Sequence, residues 1–355
     1  MTRALVQTPA QLGYRMPAEW NPHIATWLSW PKDPETWPER VSEVEEIFLQ
    51  MIAALVPNER VNLLVDNQEM EHIVRGRCKF PGFGNIRFLH IPTVDSWIRD
   101  YGPNFLIDDY GHLAYNNWIF NAWGNKYEGH KADDSLPSRL EHILNARRFE
   151  PGIVMEPGAI EVNGAGVVLT TEQCLLNHNR NPDLDRAGTE EYLKQYLGVQ
   201  KVLWLGEGAA GDDTDGHIDE IARFVSPTKI VCGLEEDPLD ANYEPLQENL
   251  KRLKHMTDAN DRAFEIVSLP MPGVVGGEST DTRNLDRLPA SYANFYIANN
   301  VVLVPVFGHV NDARAVDTLQ LVFPDRRVIP INCEPLVWGM GTIHCLTQQQ
   351  PQTHA

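Results

Sequence analysis

The stretch VSEVEEIFLQMIAALVPNERVNLLVD (residues 41–66) joins an amphipathic helix pattern to a short apolar strand pattern. Apolar residues recur at helical spacing in its first part, so we expect one helix face to be buried. These residues are Val41, Val44, Ile47, Phe48, Met51, Ile52 and Leu55. The run VNLLVD (61–66) is typical of a buried strand. Because this helix–strand order returns four more times, the chain is predicted to belong to the α/β class.

Four further helix patterns are each followed by a short apolar run. They begin at Ser135, Asp185, Asn242 and Asp312, and the runs lie at 152–155, 201–205, 264–269 and 327–331. Ser135 is predicted to cap its helix, with Pro137 in the first turn, and Gly198 to end the third helix. Further strand-like segments precede the last two helices, at 218–225, 229–234, 293–298 and 301–307. Five units of strand, strand, helix, strand predict one closed domain over residues 1–355.

The net charge of −19 and the five cysteines limit the classes of function. An acidic chain does not offer the clustered Lys and Arg that bind nucleic acid. The charge serves solubility, or its carboxylates line a cleft that attracts a cation. No run of about 18 apolar residues and no signal-peptide pattern occur, so no membrane contact is expected. An odd number of cysteines without a CxxC pair favours a reducing cytoplasm over a disulfide framework.

Polar clusters follow the closing strand of each unit or the strand after it. They lie at 95–100, 155–164, 211–220, 276–284 and 339–345. If the five units form a ring, corresponding strand ends converge near its axis, and one site there collects a cluster from each unit. A doubly wound sheet would place these clusters differently.

His217 and Cys345 are the strongest candidates for chemistry. Residues 216–225 are predicted to form a strand, which would place His217 and Asp219 on one face. Cys345 is predicted to lie in a strand as well, so the adjacent His344 would point away from it and make a poor base. A nucleophilic cysteine needs a base or a cation that favours its thiolate. The rival role for His217, Asp219 and Cys345 is zinc binding, although neither CxxC nor HExxH spacing supports it, and no metal is predicted.

Three further residues are weaker candidates when each is taken alone. Glu156 follows an apolar run and is otherwise a solvated turn residue. Asp100 is otherwise the ion-pair partner of Arg99, and Trp97 is otherwise a core residue. Together with the thiol and His217, they place several carboxylates on the same predicted axis.

Five long segments of the chain match motifs of one known family. They are DSWIRDYGP (95–103), EPGAIEVNGAGVVLTTEQCLLNHNRNP (156–182), GDDTDGHIDEIARF (211–224), RLPASYANFYIANN (287–300) and GMGTIHCLTQQQP (339–351). In these segments the chain resembles the agmatine deiminase and bacterial, Porphyromonas-type peptidylarginine deiminase family. The resemblance covers nearly the whole chain. It implies the fold of the guanidine-modifying superfamily, a five-bladed α/β propeller of ββαβ units with pseudo-five-fold symmetry. That fold agrees with the five units counted above.

The resemblance also implies roles for individual residues. Cys345 matches the nucleophile and His217 the general acid and base. Asp219 and Asp100 match the carboxylates that bind the guanidinium, and Glu156 matches the residue that positions His217 and the substrate. Carboxylates suit a planar, delocalised cation because they bind its nitrogens in pairs. No cofactor or metal is required by this chemistry.

Substrate-facing positions and departures from the family pattern complete the resemblance. Trp97 and Asp213 match positions that face the substrate in agmatine deiminases, where Asp213 suits a distal amine. The family reads EGG where this chain has EPG, with Pro157 in place of glycine. It reads GGGNIHC where this chain has GMGTIHC, with Met340 and Thr342 substituted.

The leading hypothesis is a cytoplasmic hydrolase that converts agmatine to N-carbamoylputrescine and ammonia. A peptidyl-arginine or another guanidine as the substrate is the near alternative. A non-catalytic guanidine- or polyamine-binding protein and a metal-dependent hydrolase are more distant ones. The expected partner is a small cationic guanidine, with no nucleic acid and no membrane, and a homo-oligomer is compatible with the sequence.

Overall fold

The computed structural model describes residues 7–276 and 287–353. Their strands form five small mixed sheets, of which four have three strands. In each of these four, an antiparallel pair comes first and a crossover that contains helix brings the third strand parallel to the second. The strands are β4 (Asn104–Ile107), β5 (Leu113–Asn116) and β6 (Arg147–Phe149); β7 (Glu161–Val162), β8 (Val167–Thr171) and β9 (Lys201–Leu205); β10 (Ala222–Ser226), β11 (Lys229–Leu234) and β12 (Glu265–Pro270); β13 (Tyr296–Ala298), β14 (Val301–Val306) and β15 (Arg327–Asn332).

The remaining sheet joins the two ends of the chain. Its strands, in spatial order, are β16 (Gln348–Pro351), β1 (His23–Ser29), β2 (Arg60–Val65) and β3 (Ile86–His90). The last strand pairs antiparallel with β1, and β1 pairs parallel with β2. The last strand thus takes the place that the first hairpin strand has in the other sheets, directly after the segment that carries Cys345.

Ten α-helices and six 3-10 helices connect these strands within the described residues. The α-helices are α1 (Val41–Leu55), α2 (Gln68–Arg77), α3 (Ile98–Tyr101), α4 (Ala122–Asn125), α5 (Leu136–Arg139), α6 (Glu141–Leu144), α7 (Glu172–Leu175), α8 (Arg186–Leu197), α9 (Tyr243–His255) and α10 (Asp312–Val322). The 3-10 helices are Ala10–Leu12, Phe83–Asn85, Glu128–Ser135, Pro157–Ala159, Ile218–Glu220 and Val337–Gly339. Over residues 7–276 and 287–353, no helix has the length and apolar character needed to cross a bilayer.

The predictions of helices α1 and α8 are confirmed, and in α8 one side chain and one glycine set the two ends. Asp185 caps α8 by accepting a hydrogen bond from the Gly188 amide at 2.8 Å, and Gly198 ends the helix at φ 66°. α1 buries the predicted apolar face except Val41, which is half-buried. The strand predicted at 201–205 has the observed bounds of β9.

The second predicted unit is wrong in detail. The single helix expected from Ser135 is two four-residue helices, α5 and α6, and Asn145 ends the second at φ 46°. Ser135 does not cap α5, because its hydroxyl donates to the Ala132 carbonyl instead, at 2.9 Å. The strand expected at 152–155 is absent, since β6 lies earlier in the chain and Val154 forms only an isolated bridge to Ile119.

Three clusters of buried apolar side chains form the core of the described residues. The largest packs α1 and its neighbours against strands of the first and last sheets. Trp97, Ile343, Cys345 and Leu346 belong to this cluster. The thiol therefore sits on the edge of a packed core, which restricts its movement.

Candidate active site

A cavity of about 240 Å³ opens beside Cys345. Three of the five predicted polar clusters line it, and the predicted residues among its walls are Trp97, Asp100, Asp213 and Cys345. The other predicted residues, Glu156, His217 and Asp219, are buried next to this wall. The predicted cluster at 276–284 lies outside the described residues apart from Gly276.

Cys345 lies in a turn, and the strand predicted there is wrong. Its Sγ is 3.3 Å from the Asn294 amide nitrogen and 3.8 Å from carboxylate oxygens of both Asp219 and Glu220. Burial raises the pKa of the thiol well above its usual value, and the negative charges of Asp219, Glu220 and Asp100 raise it further. The neutral form of the thiol is therefore favoured by its surroundings.

His217 does not lie in a strand either. It precedes the 3-10 helix Ile218–Glu220, and β10 starts only at Ala222, because Gly216 turns the chain at φ 87°. The ring is buried, and neither nitrogen has a hydrogen-bond partner among the described residues. Burial alone would lower the pKa of His217, but the charge of Asp100 beside it raises the pKa well above its usual value. The protonated form of His217 is therefore favoured by its surroundings.

Asp100 lies beside His217, and Gly158 packs against both residues. Its Oδ1 is 3.7 Å from His217 Nδ1 and accepts the Gly158 amide at 3.2 Å, while Trp123 donates to Oδ2 at 2.9 Å. A methyl group on Gly158 would lie 2.5 Å from Asp100 Oδ1 and 2.8 Å from His217 Nδ1, so only glycine fits. Burial raises the pKa of Asp100 to about 6, and the charge of Asp219 adds to this effect.

Asp219 is held from the side away from the cavity. His344 Nδ1 is 2.6 Å from Asp219 Oδ2, and His344 Nε2 is 2.8 Å from a Glu19 oxygen, which in turn accepts from Arg223 at 2.9 Å. Burial alone would raise the pKa of Asp219, but the His344 hydrogen bond lowers it below the usual value. Asp219 Oδ1 has no hydrogen-bond partner among the described residues. Both His344 nitrogens are thus engaged by carboxylates and are not aimed at Cys345.

Glu156 and Asp213 lie at different depths. Glu156 is fully buried, and its Oε1 accepts from Arg180 at 2.7 Å while its Oε2 has no partner among the described residues. Asp213 is half-buried on the cavity wall, where the Tyr127 hydroxyl donates to it. Removal from water raises the pKa of Asp213 to about 6, although the Tyr127 hydrogen bond opposes this effect.

The three residues named for the zinc alternative do not converge as one set. Among the described residues, potential ligand atoms come within 4.8 Å of one another in three groups. These are Glu156, Cys174 and His217; Asp219, Glu220 and Cys345; and Asp33, Asp95 and His130. His217 and Cys345 thus fall into separate groups, so the predicted trio would have to rearrange to bind a single ion.

Comparisons with known proteins show the family to which the chain belongs. The sequence model of the Porphyromonas-type peptidyl-arginine deiminase family matches residues 15–351. The chain belongs to this family. A Legionella pneumophila protein provisionally named an agmatine deiminase is 39% identical over 98% of this chain and 97% of its own. The solved Enterococcus faecalis agmatine deiminase is 35% identical, with a TM-score of 0.91 over 99% of this chain and all of that one. C. jejuni agmatine deiminase, solved as a Cys-to-Ser variant with substrate bound, is 29% identical, with a TM-score of 0.86 over 96% and 97% of the two chains.

The departures of this chain from the family pattern have distinct physical consequences. Pro157 begins a 3-10 helix, where an amide is not needed, and the retained Gly158 is the residue that contacts Asp100. Thr342 donates to the Asn294 side chain at 2.7 Å, and so supports the amide beside Cys345. Met340 adopts φ 74°, a conformation that costs a non-glycine residue energy.

Several residues around the site were not predicted. Glu220 and Asn294 contact the thiol. Arg180 donates to Glu156, and Glu19 contacts His344, which in turn contacts Asp219. Glu220 directly follows Asp219, and Asn294 lies within the quoted segment 287–300, so the family segments contained a signal for both. The position of Glu19 gave none, because its partners are Arg223 and His344, which are distant in sequence.

Proposed function

We propose that this chain hydrolyses agmatine to N-carbamoylputrescine and ammonia through a covalent intermediate on Cys345. The observation that carries the proposal is the cavity in which a thiol meets several carboxylates. The carboxylates on its wall are Glu35, Asp95, Asp100 and Asp213, and the basic side chain among the described wall residues is His130. A cationic guanidine with a distal amine suits these charges, whereas the α-carboxylate of free arginine would meet like charge.

The predicted residues have complementary roles in binding. The free oxygens of Asp219 and Glu156, together with Asp100, offer acceptors for guanidinium nitrogens. Trp97 packs against the plane of the guanidinium, and Asp213 receives the distal amine. The positive charge of the substrate offsets the carboxylates that raise the pKa of Cys345, so binding itself favours the thiolate.

The first half of the reaction forms the covalent intermediate. The Cys345 thiolate attacks the guanidinium carbon, and a new C–S bond forms. His217 gives its proton to the departing nitrogen, the C–N bond breaks, and ammonia leaves. An S-alkylthiouronium remains on Cys345.

The second half releases the product. His217, now neutral, takes a proton from water, whose oxygen attacks the thiouronium carbon. The C–S bond breaks, its electron pair returns to the Cys345 sulfur, and the proton of the added hydroxyl passes to that sulfur, which leaves a ureido group and a neutral thiol. Asp100 stabilises the imidazolium that forms again at His217.

We also propose that the five sheets are the blades of a five-bladed α/β propeller with pseudo-five-fold symmetry, folded as one domain over residues 1–355. The repeated strand order and the pairing of β16 with β1 support this arrangement. Five free, buried cysteines support a cytoplasmic location. The proposed partner is the small cationic substrate, and self-association is a further proposal that sedimentation can test.

A panel of guanidines tests the substrate assignment. Agmatine, free arginine and a peptide with an internal arginine are incubated with the protein, and ureido product and ammonia are measured. We expect turnover of agmatine alone, as the activity in the names of the E. faecalis and C. jejuni relatives suggests. Turnover of the peptide alone would move the assignment to peptidyl-arginine, and no ureido product from any guanidine would refute the proposal.

A further inference from the structure

Arg180 is a buried cation that lies beside the cavity wall and not on it. The residue is 4% exposed, and it follows α7 in the segment NHNRNP (177–182). A buried guanidinium is costly unless its donors are paired. Its charge is matched by two carboxylates, those of Glu156 and Asp215.

The Arg180 side chain joins two parts of the site. Nε donates to Glu156 Oε1 at 2.7 Å, which leaves Oε2 free on the other side. One terminal nitrogen donates to Asp215 at 2.7 Å, and the other donates to the Thr214 carbonyl at 2.9 Å. Asp215 and Thr214 lie between Asp213 and His217, so one planar group links Glu156 to the loop that carries both.

This loop depends on such contacts because its backbone is strained. Asp215 adopts φ 68°, which an aspartate seldom does without local support. Its carboxylate also accepts from Asn179 at 2.9 Å and from Lys126 at 2.8 Å. Asn179, the neighbour of Arg180, accepts a hydrogen bond from the guanidinium at 2.7 Å, so its side chain contacts both Arg180 and Asp215.

Glu156 and His217 meet at one point beneath the cavity. Their ligand-type atoms and the Cys174 Sγ lie within 4.8 Å of one another, and all three residues are buried. The relative placement of the Glu156 oxygen and the His217 ring is thus set from one side by the segment that precedes the 3-10 helix Pro157–Ala159 and from the other side by the loop of residues 212–217. Arg180 is the side chain that bonds to both sides.

We propose that Arg180 is a positioning residue that fixes Glu156 and the 212–217 loop relative to each other. This inference rests on the proposed deimination at Cys345. The contact between Arg180 and Glu156 is one half of this arrangement. It acts on the chemical step, because it aims the free Glu156 oxygen at the reacting group beside His217. The contact between Arg180 and Asp215 is the loop half, which acts on binding because it places Asp213 at the distal end of the cavity.

Three substitutions separate these two halves. Arg180→Lys keeps the charge but cannot reproduce the planar fork, so kcat for agmatine should fall about 100-fold, with a higher KM. Asp215→Asn weakens only the loop half and should raise KM about fivefold with kcat within about twofold. Arg77→Lys is the matched control, since Arg77 also pairs with two carboxylates, Glu45 and Glu46, but contacts no site residue. It should leave kcat and KM within about twofold.

Unchanged kcat in Arg180→Lys would overturn the proposal. So would equal changes of kcat and KM in both site variants, or losses that match the unfolded fraction seen by thermal denaturation. Those results would assign Arg180 a purely structural role.

Alkylation of Cys345 keeps this test independent of the substrate assignment. The second-order rates of labelling by cationic 2-chloroacetamidine and neutral iodoacetamide are followed on the Cys345 peptide by mass spectrometry. Arg180→Lys should slow the cationic reagent at least about fivefold and leave the neutral one unchanged. Equal rates in wild type and variant for both reagents would overturn the positioning role. Selective labelling in a wild-type protein that does not turn over agmatine would refute only the proposed substrate.

Discussion

The site contains two buried histidines whose surroundings are opposite. Both are 1% exposed, yet His217 has no hydrogen-bond partner at either ring nitrogen among the described residues, while His344 has a carboxylate at 2.6 Å and another at 2.8 Å. Leaving buried polar atoms unpaired costs about 1–3 kcal/mol each, so folding alone does not favour the His217 arrangement. The unpaired atoms beside His217 remain available to a bound molecule, whereas His344 contacts Asp219 and so holds it in place.

The largest loss of activity should come from removing the Cys345 thiol, which lies beside the Asp219 carboxylate that His344 holds in place. Cys345→Ala removes the atom that forms the covalent bond, so kcat for ureido formation should fall by about 10⁴-fold or more. Ammonia release is the measurement, and agmatine binding by calorimetry is the control for an intact cavity. Full activity in this variant would make the chain a different kind of hydrolase, and binding without turnover in the wild type would make it a guanidine-binding protein.

Removing the unpaired histidine should separate activity from folding. His217→Gln leaves no group that can carry the proton to ammonia and then take one from water, so kcat should fall about 10²–10⁴-fold. Initial rates over a range of agmatine concentrations give kcat and KM. A KM that rises while kcat stays the same would mean that His217 only binds the substrate.

The carboxyls that line the cavity should respond to pH differently from Asp219, which contacts His344. Burial raises the pKa of Asp100 and of Asp213 to about 6, so both are charged above this pH and neutral below it. Attraction for the cationic substrate is therefore lost as the pH falls through about 6, and kcat/KM should drop about tenfold per carboxyl between pH 7 and pH 5. Asp219 stays charged because His344 lowers its pKa. A flat acid limb down to pH 5 would contradict the assignment of Asp100 and Asp213 to binding.

The smallest effect should come from Met340, in the segment 339–345 that ends at Cys345. Met340→Gly should relieve the cost of φ 74° but add freedom to the unfolded chain, so the free energy of unfolding should rise by about 0.5–1 kcal/mol at most. Denaturant unfolding measures this change. Gly341→Ala is the control in the opposite direction, because a methyl group there would lie 2.9 Å from the Trp97 ring and 3.2 Å from Cys345 Sγ. A lower free energy of unfolding for Met340→Gly would show that packing of the Met340 side chain contributes more than its backbone conformation costs.

The sequence predicts the repeated units better than the site within them. α8 and β9 follow from an Asp cap, a glycine end and an apolar run, which are all local. The placement of His217 was wrong because alternation of faces assumes a strand, whereas Gly216 at φ 87° turns the chain into a 3-10 helix.

The contacts that hold Asp219 in place could not be predicted, because they join segments that are distant in the sequence. His344 is more than a hundred residues from Asp219, and Glu19 is farther still from both. Neither bond leaves a spacing pattern along the chain. The sequence predicts that His344 points away from Cys345, but only tertiary packing shows that its ring contacts two carboxylates.

Thermal unfolding of His217→Gln and His344→Gln, measured side by side, tests the contrast between the two histidines most directly. His344→Gln leaves the buried carboxylates of Asp219 and Glu19 without their shared partner, so it should lose about 3 kcal/mol of stability. His217→Gln removes a ring that has no hydrogen bond among the described residues but whose charge faces Asp100 at 3.7 Å, so it should lose less stability than His344→Gln. The account predicts a larger fall in Tm for His344→Gln than for His217→Gln. An equal or larger fall in Tm for His217→Gln would contradict it.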